Sequence, residues 1–329
     1  MPDEFEVIAA MSKAAGKPPK GYSQIGDDVA VVPPRPGRVV LKTDMLVEHT
    51  DVPAGMTYRQ AARKAVAMCV SDFASKGVRP DSFMISLGLR RGVDKEEVEM
   101  VALGLRDAVE RWGVHLVGGD TNEAEELIVG CSMVGFAKRV VDRGGASPGD
   151  ALVVTGAFGL PPAGLRIMLG GAKAKARFGQ EARRSVLEPE PSLDVGVALA
   201  PYLTSAMDSS DGLARSIHTL ARASGVGFVV ERLPAAGGVM DFADANGLDG
   251  DKLILEGGEE YVIVGTIRAQ DVRRAERAVK KAGGGADSRG MRDGGERGGA
   301  GGRWEARSDQ GRGMDPSRPS LTSRPSRTC

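Results

Sequence analysis

Five short aspartate-bearing stretches are the part of this chain best able to do chemistry. They are Ile25-Gly26-Asp27-Asp28, Lys42-Thr43-Asp44, Ser71-Asp72, Gly118-Gly119-Asp120-Thr121 and Asp208-Ser209-Ser210-Asp211-Gly212. Carboxylates beside glycines and hydroxyls suit hard, oxygen-seeking cations, and Mg²⁺ brings phosphates with it. The chain carries neither a GxxxxGK[ST] loop nor a protein-kinase catalytic loop. The chemistry predicted is the handling of nucleotide phosphates by aspartates and metal ions.

Each stretch has a structural explanation when taken singly. Asp27-Asp28 reads as a turn before a strand. Asp208 to Asp211 reads as an N-cap for the helix that follows, with Gly212 easing the turn. Ser71-Asp72 falls inside a helical pattern, where an inward aspartate is harder to dismiss. Together they make a stronger case, because two carboxylates 4 Å apart repel by about 4 kcal/mol at an effective dielectric near 20. Six aspartates with a nucleoside triphosphate carry roughly −10 charges, and Mg²⁺ takes only one or two carboxylates, so several ions are implied. Phosphoryl transfer needs positioning and charge neutralisation, which aligned Mg²⁺ ions supply. Arg143, at the junction of the two halves, is the basic residue placed to reach phosphates; read alone it is equally a solvated arginine in a turn.

The elements that position these residues alternate between strand and helix. Residues 3 to 15 form a short helix, with either Phe5, Ile8 and Ala9 or Val7 and Met11 sharing a face. Val29–Val32 and Arg38–Thr43 read as strands about the turn PPRPG. Thr57–Lys76 is a helix with Thr57 as N-cap, ended by Gly77 and Pro80. Ser82–Leu89, His115–Val117 and Leu127–Phe136 are strands, and Asp94–Trp112 is a helix capped by Asp94. A second unit opens near Arg143: strand Ala151–Thr155, a glycine loop Gly156–Gly164, a helical segment, and then EPEPSLDVGVALAPYL, another helix entered through prolines. Helix Asp211–Ser224, strands Gly227–Glu231 and Tyr261–Thr266, and helix Ala269–Ala282 complete it. The fold class is α/β with an α+β second domain. The domains predicted are 1–139, 140–283 and a tail at 284–329.

Bulk properties exclude other classes. Lys plus Arg balance Asp plus Glu at 44 each, so no global basic field argues for nucleic acid. Cys69, Cys131 and Cys329 make neither a disulfide framework nor a zinc site and fit a reducing cytoplasm. The N-terminus lacks the pattern of a signal peptide, and no apolar run is long enough to span a membrane. From Gly283 onward Leu321 is the sole Leu, Ile or Val, and nine arginines appear without a lysine. Such a segment cannot offset an ordering entropy of roughly 1–2 kcal/mol per residue, so it is expected to be disordered. Its RG-rich text lacks the aromatics of an RNA-binding tail.

The segments IGDDVAVV, LKTDMLVEHTDVPAGMTYRQAARKAVAMCVSDFASKGVRP, VGGDTNEAEELIVGCSMVGFAKR, RGGASPGDALVVTGAFG, DSSDGLARSIHTLARASGVG and EGGEEYVIV occur in order. They resemble thiamine-monophosphate kinases, the second segment most in their archaeal form, from about residue 22 to about 282. This family sits in the superfamily of aminoimidazole-ribotide synthetase, selenophosphate synthetase and the hydrogenase-maturation dehydratase. The resemblance implies a two-domain fold whose N-terminal sheet pairs with a second copy, forming a barrel in a homodimer. It implies ATP-dependent phosphorylation of thiamine phosphate to thiamine diphosphate by direct in-line transfer. By residue it implies Mg²⁺ contacts at Asp28, Thr43, Asp44, Asp72, Asp120, Asp208 and Asp211, with Lys42 left out because bacterial members often carry a serine metal contact there. Nucleotide contacts are implied at Gly119, Asp120, Arg143 and Ser210, substrate contacts at Asp51 and Glu259, and catalytic roles for Arg143 and Asp211. Many relatives have histidine at the position of Asp51 and GGEDY in place of Gly257–Tyr261. The family's C-terminal domain continues past residue 282 to an aromatic motif that packs on thiamine, which the tail does not match. An incomplete domain and a change of reading frame are therefore expected. Two rival readings remain: another ATP-using enzyme of the superfamily, and a truncated nucleotide-binding protein without turnover.

Overall fold

The structure is a computed structural model that describes residues 4–23, 25, 29–283, 303–306 and 322–324, the last two segments by backbone alone. Chain packing divides it into two units with the break between Arg139 and Val140; residues 187–191 join the first unit and 74–77 the second. The first exchange has a clear cause. Arg63 donates to the Pro189 carbonyl at 2.9 Å and pairs with Glu190, which Arg111 also holds at 2.9 Å.

The first unit contains α1 (Glu4–Ala15), β1 (Arg38–Val47), α2 (Glu48–Asp51), α3 (Tyr58–Ser75), β2 (Pro80–Arg90), α4 (Lys95–Trp112), β3 (His115–Ala124) and β4 (Ile128–Ala137). Val7 and Met11 form the buried stripe of α1, while Phe5 stands 80% exposed. Helix α3 begins where Thr57 and Gln60 cap each other: the Gln60 side chain accepts from Thr57 N at 3.0 Å, and Thr57 Oγ1 accepts from Gln60 N at 3.3 Å. Asp94 and Glu97 form the same box at the start of α4, closed by Gly113 in the left-handed conformation. The sheet order is β1-β4-β2-β3, antiparallel except for the β2/β3 pair. One face is buried, with Leu46, Phe83, Ile85, Leu87, Cys131 and Met133 in the core. The other carries Val39, Leu41, Met45 and Met84, all exposed.

The expected strand at Val29–Val32 is not formed. Its backbone is satisfied by Ser23 instead: Ser23 N donates to the Val31 carbonyl at 2.9 Å, and Val31 N donates to Ser23 Oγ at 2.7 Å. Strands β1 and β3 run farther than their apolar residues suggested, because cross-strand hydrogen bonds continue through polar text such as Gly118–Ala124.

The second unit contains β5 (Asp150–Val154), α5 (Leu160–Gly170), α6 (Ala176–Leu187), α7 (Leu193–Leu199), β6 (Leu203–Ser209), α8 (Leu213–Ser224), β7 (Phe228–Val230), α9 (Val239–Ala245), α10 (Gly250–Leu255), β8 (Val262–Arg268), α11 (Val272–Lys281), β9 (Arg303–Ala306) and β10 (Thr322–Arg324). An antiparallel sheet β5-β8-β6 packs with α8 around Phe158, Leu213, Ile217, Leu220, Val239 and Val264. The expected glycine loop at 156–164 is shorter than its composition implied. Pro161 and Pro162 lie in the first turn of α5, where a missing N–H costs nothing. Strand β6 was not foreseen from sequence, because its text LTSAMDS is mostly small and polar; Ser205, Asp208 and Ser209 are nevertheless buried.

The expectation of a structureless tail fails for two short pieces. Strand β9 pairs antiparallel with β7, matching Phe228 with Ala306 and Val230 with Trp304, and β10 pairs with β9. The open edge of β7 supplies backbone donors and acceptors that a chain of any composition can meet. The rest of 284–329, including Cys329, lies outside the described residues, as do the expectations of disorder and of a lost C-terminal segment that fall there. No helix among the described residues is long and apolar enough to cross a membrane.

Asp94→Ala removes one half of the α4 capping box and is expected to lower stability by about 1 kcal/mol. Urea unfolding checks this, and an unchanged midpoint would show that the box contributes nothing.

Candidate functional site

In the first unit the acids meet through strand β1. Side chains along a strand alternate between faces, so Lys42 and Asp44 lie on the same side as buried Leu46, while Thr43 lies on the other. In the β1/β4 ladder Lys42 pairs with Met133 and Asp44 with Cys131. Asp72 reaches the cluster from α3, which packs on this face; its neighbour Phe73 would touch any side chain added at Gly135 of β4. The Lys42 ammonium stands between the two carboxylates, 2.6 Å from Asp72 Oδ2 and 3.2 Å from Asp44 Oδ2. The three side chains are 32%, 20% and 29% exposed, taking Lys42, Asp72 and Asp44 in turn, so solvent reaches the cluster without flooding it. Burial works against the ammonium's charge, but Asp72 and Asp44 outweigh it and hold the Lys42 pKa well above the ordinary lysine value. Beneath Asp44, Cys69 donates to the Cys131 carbonyl at 3.4 Å, and both thiols are free and buried. The adjacent Cys69 thiol and burial raise the Cys131 pKa well above its usual value.

Thr43 and Asp120 lie on the opposite, exposed face. Thr43 Oγ1 is 3.2 Å from Ser132 Oγ, its cross-strand partner. Asp120 stands on edge strand β3 opposite Ser86, in register with Gly130 and Met45. Beside it, Gly119 has a structural cause: a Cβ there would come within 2.2 Å of the Ile85 carbonyl oxygen. Asp51 ends α2 with its carboxylate turned back on the chain, accepting from Val47 N at 2.8 Å and Thr50 Oγ1 at 3.0 Å, while its carbonyl accepts from Lys64 at 2.9 Å. Asp28 lies outside the described residues.

In the second unit Asp208 is buried at the end of β6, where Ser209 pairs with Val262 of β8. The loop before β8 folds onto the DSSDG stretch by backbone hydrogen bonds. Glu259 N donates to the Ser210 carbonyl at 2.7 Å, and Tyr261 N donates to the Ser209 carbonyl at 3.1 Å. The approach needs a glycine at 258, where a Cβ would meet the Ser210 oxygen at 2.6 Å. It also holds Glu259 and Tyr261 at φ of 66° and 49°, a region costly for residues with side chains. The Tyr261 hydroxyl donates to Glu259 Oε1 at 3.3 Å. Asp211 does not cap α8. The N-cap is Gly212 without a side-chain bond, and Asp211 is exposed, 3.5 Å from Arg215. Arg143 is exposed in a bend and makes no hydrogen bond or ion pair with a described residue.

The structure therefore joins Asp44 with Asp72, and Ser210 with Glu259. Within the first unit it separates Thr43 and Asp120 from Asp44 and Asp72 by the thickness of the sheet. No group of three or more His, Cys, Asp or Glu side chains among the described residues forms a ready metal cage. The donor set still fits Mg²⁺: Asp44 and Asp72 are hard oxygen donors already sharing one cationic centre, and Mg²⁺ needs only one or two carboxylates beside phosphate and water. Sequence reasoning passed over Lys42, although its spacing of two from Asp44 on a strand places both on one face. It also passed over Glu260, whose Oε1 accepts from Gly159 N at 2.5 Å.

Residues 26–137 match the AIR synthase related protein, N-terminal domain, which defines the class of this α/β fold. Over 265 residues the chain is 37% identical to the thiamine-monophosphate kinase of Nitrosopumilus maritimus, covering 80% of this chain and 82% of the relative. It is 34% identical over 250 residues to that of Pyrococcus abyssi, covering 75% and 78%. Among solved structures, AaThiL complexed with AMPPCP and TMP superimposes with a TM-score of 0.67 at 28% identity, covering 81% of this chain and 85% of that one. The chain belongs to the thiamine-monophosphate kinase family.

Burial pushes the Glu260 pKa up from 4.5 to about 8, against the Gly159 N–H, which favours the charged form. A carboxyl with a raised folded-state pKa stabilises the fold below the unfolded pKa. That contribution is lost as pH rises towards the folded value. Glu260→Gln, which keeps an oxygen acceptor for Gly159, should gain thermal stability over the parent progressively between about pH 4.5 and 8 and level off above. Melting temperatures across that range check it; a pH-independent difference would mean that Glu260 is solvated and ordinary.

Proposed function

We propose that this chain transfers the γ-phosphoryl group of ATP to the phosphate of thiamine monophosphate, yielding thiamine diphosphate and ADP. The observation that carries the reading is the Asp44–Asp72 pair held around one cationic centre, in a chain 37% identical to a kinase of that name. The bond from the γ-phosphorus to the β,γ-bridging oxygen breaks as one forms to an oxygen of thiamine monophosphate. Bound Mg²⁺ would neutralise the phosphate oxygens and align the two reactants. Asp44 and Asp72 would hold one such ion, and Asp28, Thr43, Asp120, Asp208 and Asp211 are further proposed metal contacts.

Gly119, Asp120, Arg143 and Ser210 are assigned to ATP, with Arg143 and Asp211 as the catalytic pair, and Asp51 and Glu259 to thiamine monophosphate. The exposed Arg143 guanidinium is available to phosphate oxygens because no described carboxylate engages it. Glu259 is held in place by its backbone bond to Ser210 and by Tyr261. Asp51 has one carboxylate oxygen committed to its own turn, so it meets a ligand with the other. ADP release with thiamine monophosphate, compared with release on aminoimidazole precursors, tests the assignment and separates it from both rivals. Asp72→Asn should weaken Mg²⁺-dependent ATP binding greatly; unchanged affinity by calorimetry with Mg²⁺ limiting would defeat the metal assignment.

The proposed form is a cytoplasmic homodimer built on the exposed sheet face. Val39, Leu41, Met45 and Met84 make an apolar surface on β1 and β2 that a second copy would cover. Light scattering at micromolar concentration should give twice the mass of the 34.4 kDa chain. Leu41→Asp should shift it to the monomer, and a parent that is already monomeric would overturn the proposal.

A further inference from the structure

We propose that the Lys42 ammonium is a tethered counter-ion of the acidic site, holding the place between Asp44 and Asp72 of a divalent cation the site would otherwise recruit. The inference rests on the reading of these acids as a metal and nucleotide site, and it assigns a role to a residue that reading leaves out.

The geometry is specific. Lys42 and Asp44 leave one face of the same strand two residues apart, so their Cα positions are fixed by the continuous β1/β4 ladder. Asp72 comes from a different element, and its Oδ2 lies 2.6 Å from Nζ, nearer than the 3.2 Å of Asp44. The ammonium therefore bridges helix and strand, and is not merely paired with its neighbour along the chain. A Mg²⁺ ion binds carboxylate oxygen at about 2.0–2.1 Å, so it cannot share the space that Nζ fills against Asp72 Oδ2. A divalent ion entering there must expel Nζ or bind the outer lone pairs. Either course meets repulsion from a charge that the strand does not let diffuse away.

The consequence is a site with one of its positive charges built into the chain. Lysine contributes +1 where Mg²⁺ would contribute +2, so Asp44 and Asp72 keep a residual charge of about −1. That remaining charge is enough to receive the metal that arrives with ATP. It is too small to gather a second ion when Mg²⁺ is scarce. Three features follow from one side chain: partial neutralisation of the acids without metal, fewer free ions per nucleotide, and stability that does not depend on Mg²⁺ before ATP binds.

The test counts Mn²⁺ bound per chain in the presence of a non-hydrolysable ATP analogue, using electron paramagnetic resonance of free Mn²⁺. The full chain is compared with Lys42→Ser, Lys42→Met and Lys42→Arg. The first two should bind one more Mn²⁺ ion than the parent. Their nucleotide-free Mn²⁺ affinity should rise about tenfold, because the ammonium no longer repels the metal or occupies the carboxylates. Lys42→Arg should keep the parental count. Melting in EDTA gives an independent reading: Lys42→Met should melt lower than the parent and recover when Mg²⁺ is restored, while the parent is indifferent to the metal. If Lys42→Met does not fold even with Mg²⁺, Lys42→Ser against Lys42→Arg decides by count alone. An unchanged Mn²⁺ count in Lys42→Ser, with binding retained, overturns the tethered counter-ion and leaves the acid site standing. Absence of Mn²⁺ binding in the parent and all variants overturns both.

Discussion

An antiparallel ladder makes consecutive side chains leave on opposite faces, and the candidate site of the first unit depends on how strand β1 obeys that constraint. Its ten residues pair without interruption against β4, so Lys42 and Asp44 are committed to the helix-packed side and Thr43 to the exposed side. Helix α3 then brings Asp72 to the first pair. Two carboxylates brought together this way would repel by several kcal/mol in a partly buried setting, and Lys42 offsets that repulsion. With each group 20–32% exposed, the net gain from such a pair is on the order of 1 kcal/mol, so the arrangement does little for stability and much for charge placement.

The second unit reaches its arrangement by another route. There the acids and hydroxyls of 208–211 follow β6, and the chain returning to β8 is bound to them through the Ser209 and Ser210 carbonyls. Left-handed backbone at Glu259 and Tyr261 costs of order 1–3 kcal/mol per residue, so it persists only because surrounding contacts fix it. Those contacts are visible: β6 pairs with β8, Gly258 admits the Ser210 carbonyl, and Tyr261 is buried with its hydroxyl on Glu259. Strain is thus concentrated in a short acidic loop, with the half-buried Glu260 beside it, and the fold itself sets the loop's shape.

Much of the fold was legible from local text. The helices at 58–75 and 95–112 announce themselves by capping residues and apolar spacing, and the caps are formed as read. Strand β6 was invisible because its small polar residues carry no period-two signal, although the sheet buries several of them. The Val29–Val32 run was misleading for the opposite reason. β-Branched residues favour a strand only where a neighbouring strand exists to pair with, and here Ser23 takes the hydrogen bonds. The tail's composition predicted no structure, yet 303–306 and 322–324 pair beside β7, because a ladder needs backbone groups more than particular side chains.

By itself the sequence determined the α/β alternation, the inventory of aspartates beside glycines and hydroxyls, and membership of the thiamine-monophosphate kinase family, since these follow from residue order and local propensity. It did not determine which aspartates share a site. Lys42, Thr43 and Asp44 are adjacent in text, yet Thr43 faces away from the other two, and Asp72 joins them from a helix farther along the chain. That sorting depends on strand register and helix packing, which are set by contacts distant in sequence. Only the tertiary structure decided that the cation between Asp44 and Asp72 is a side chain of the protein's own.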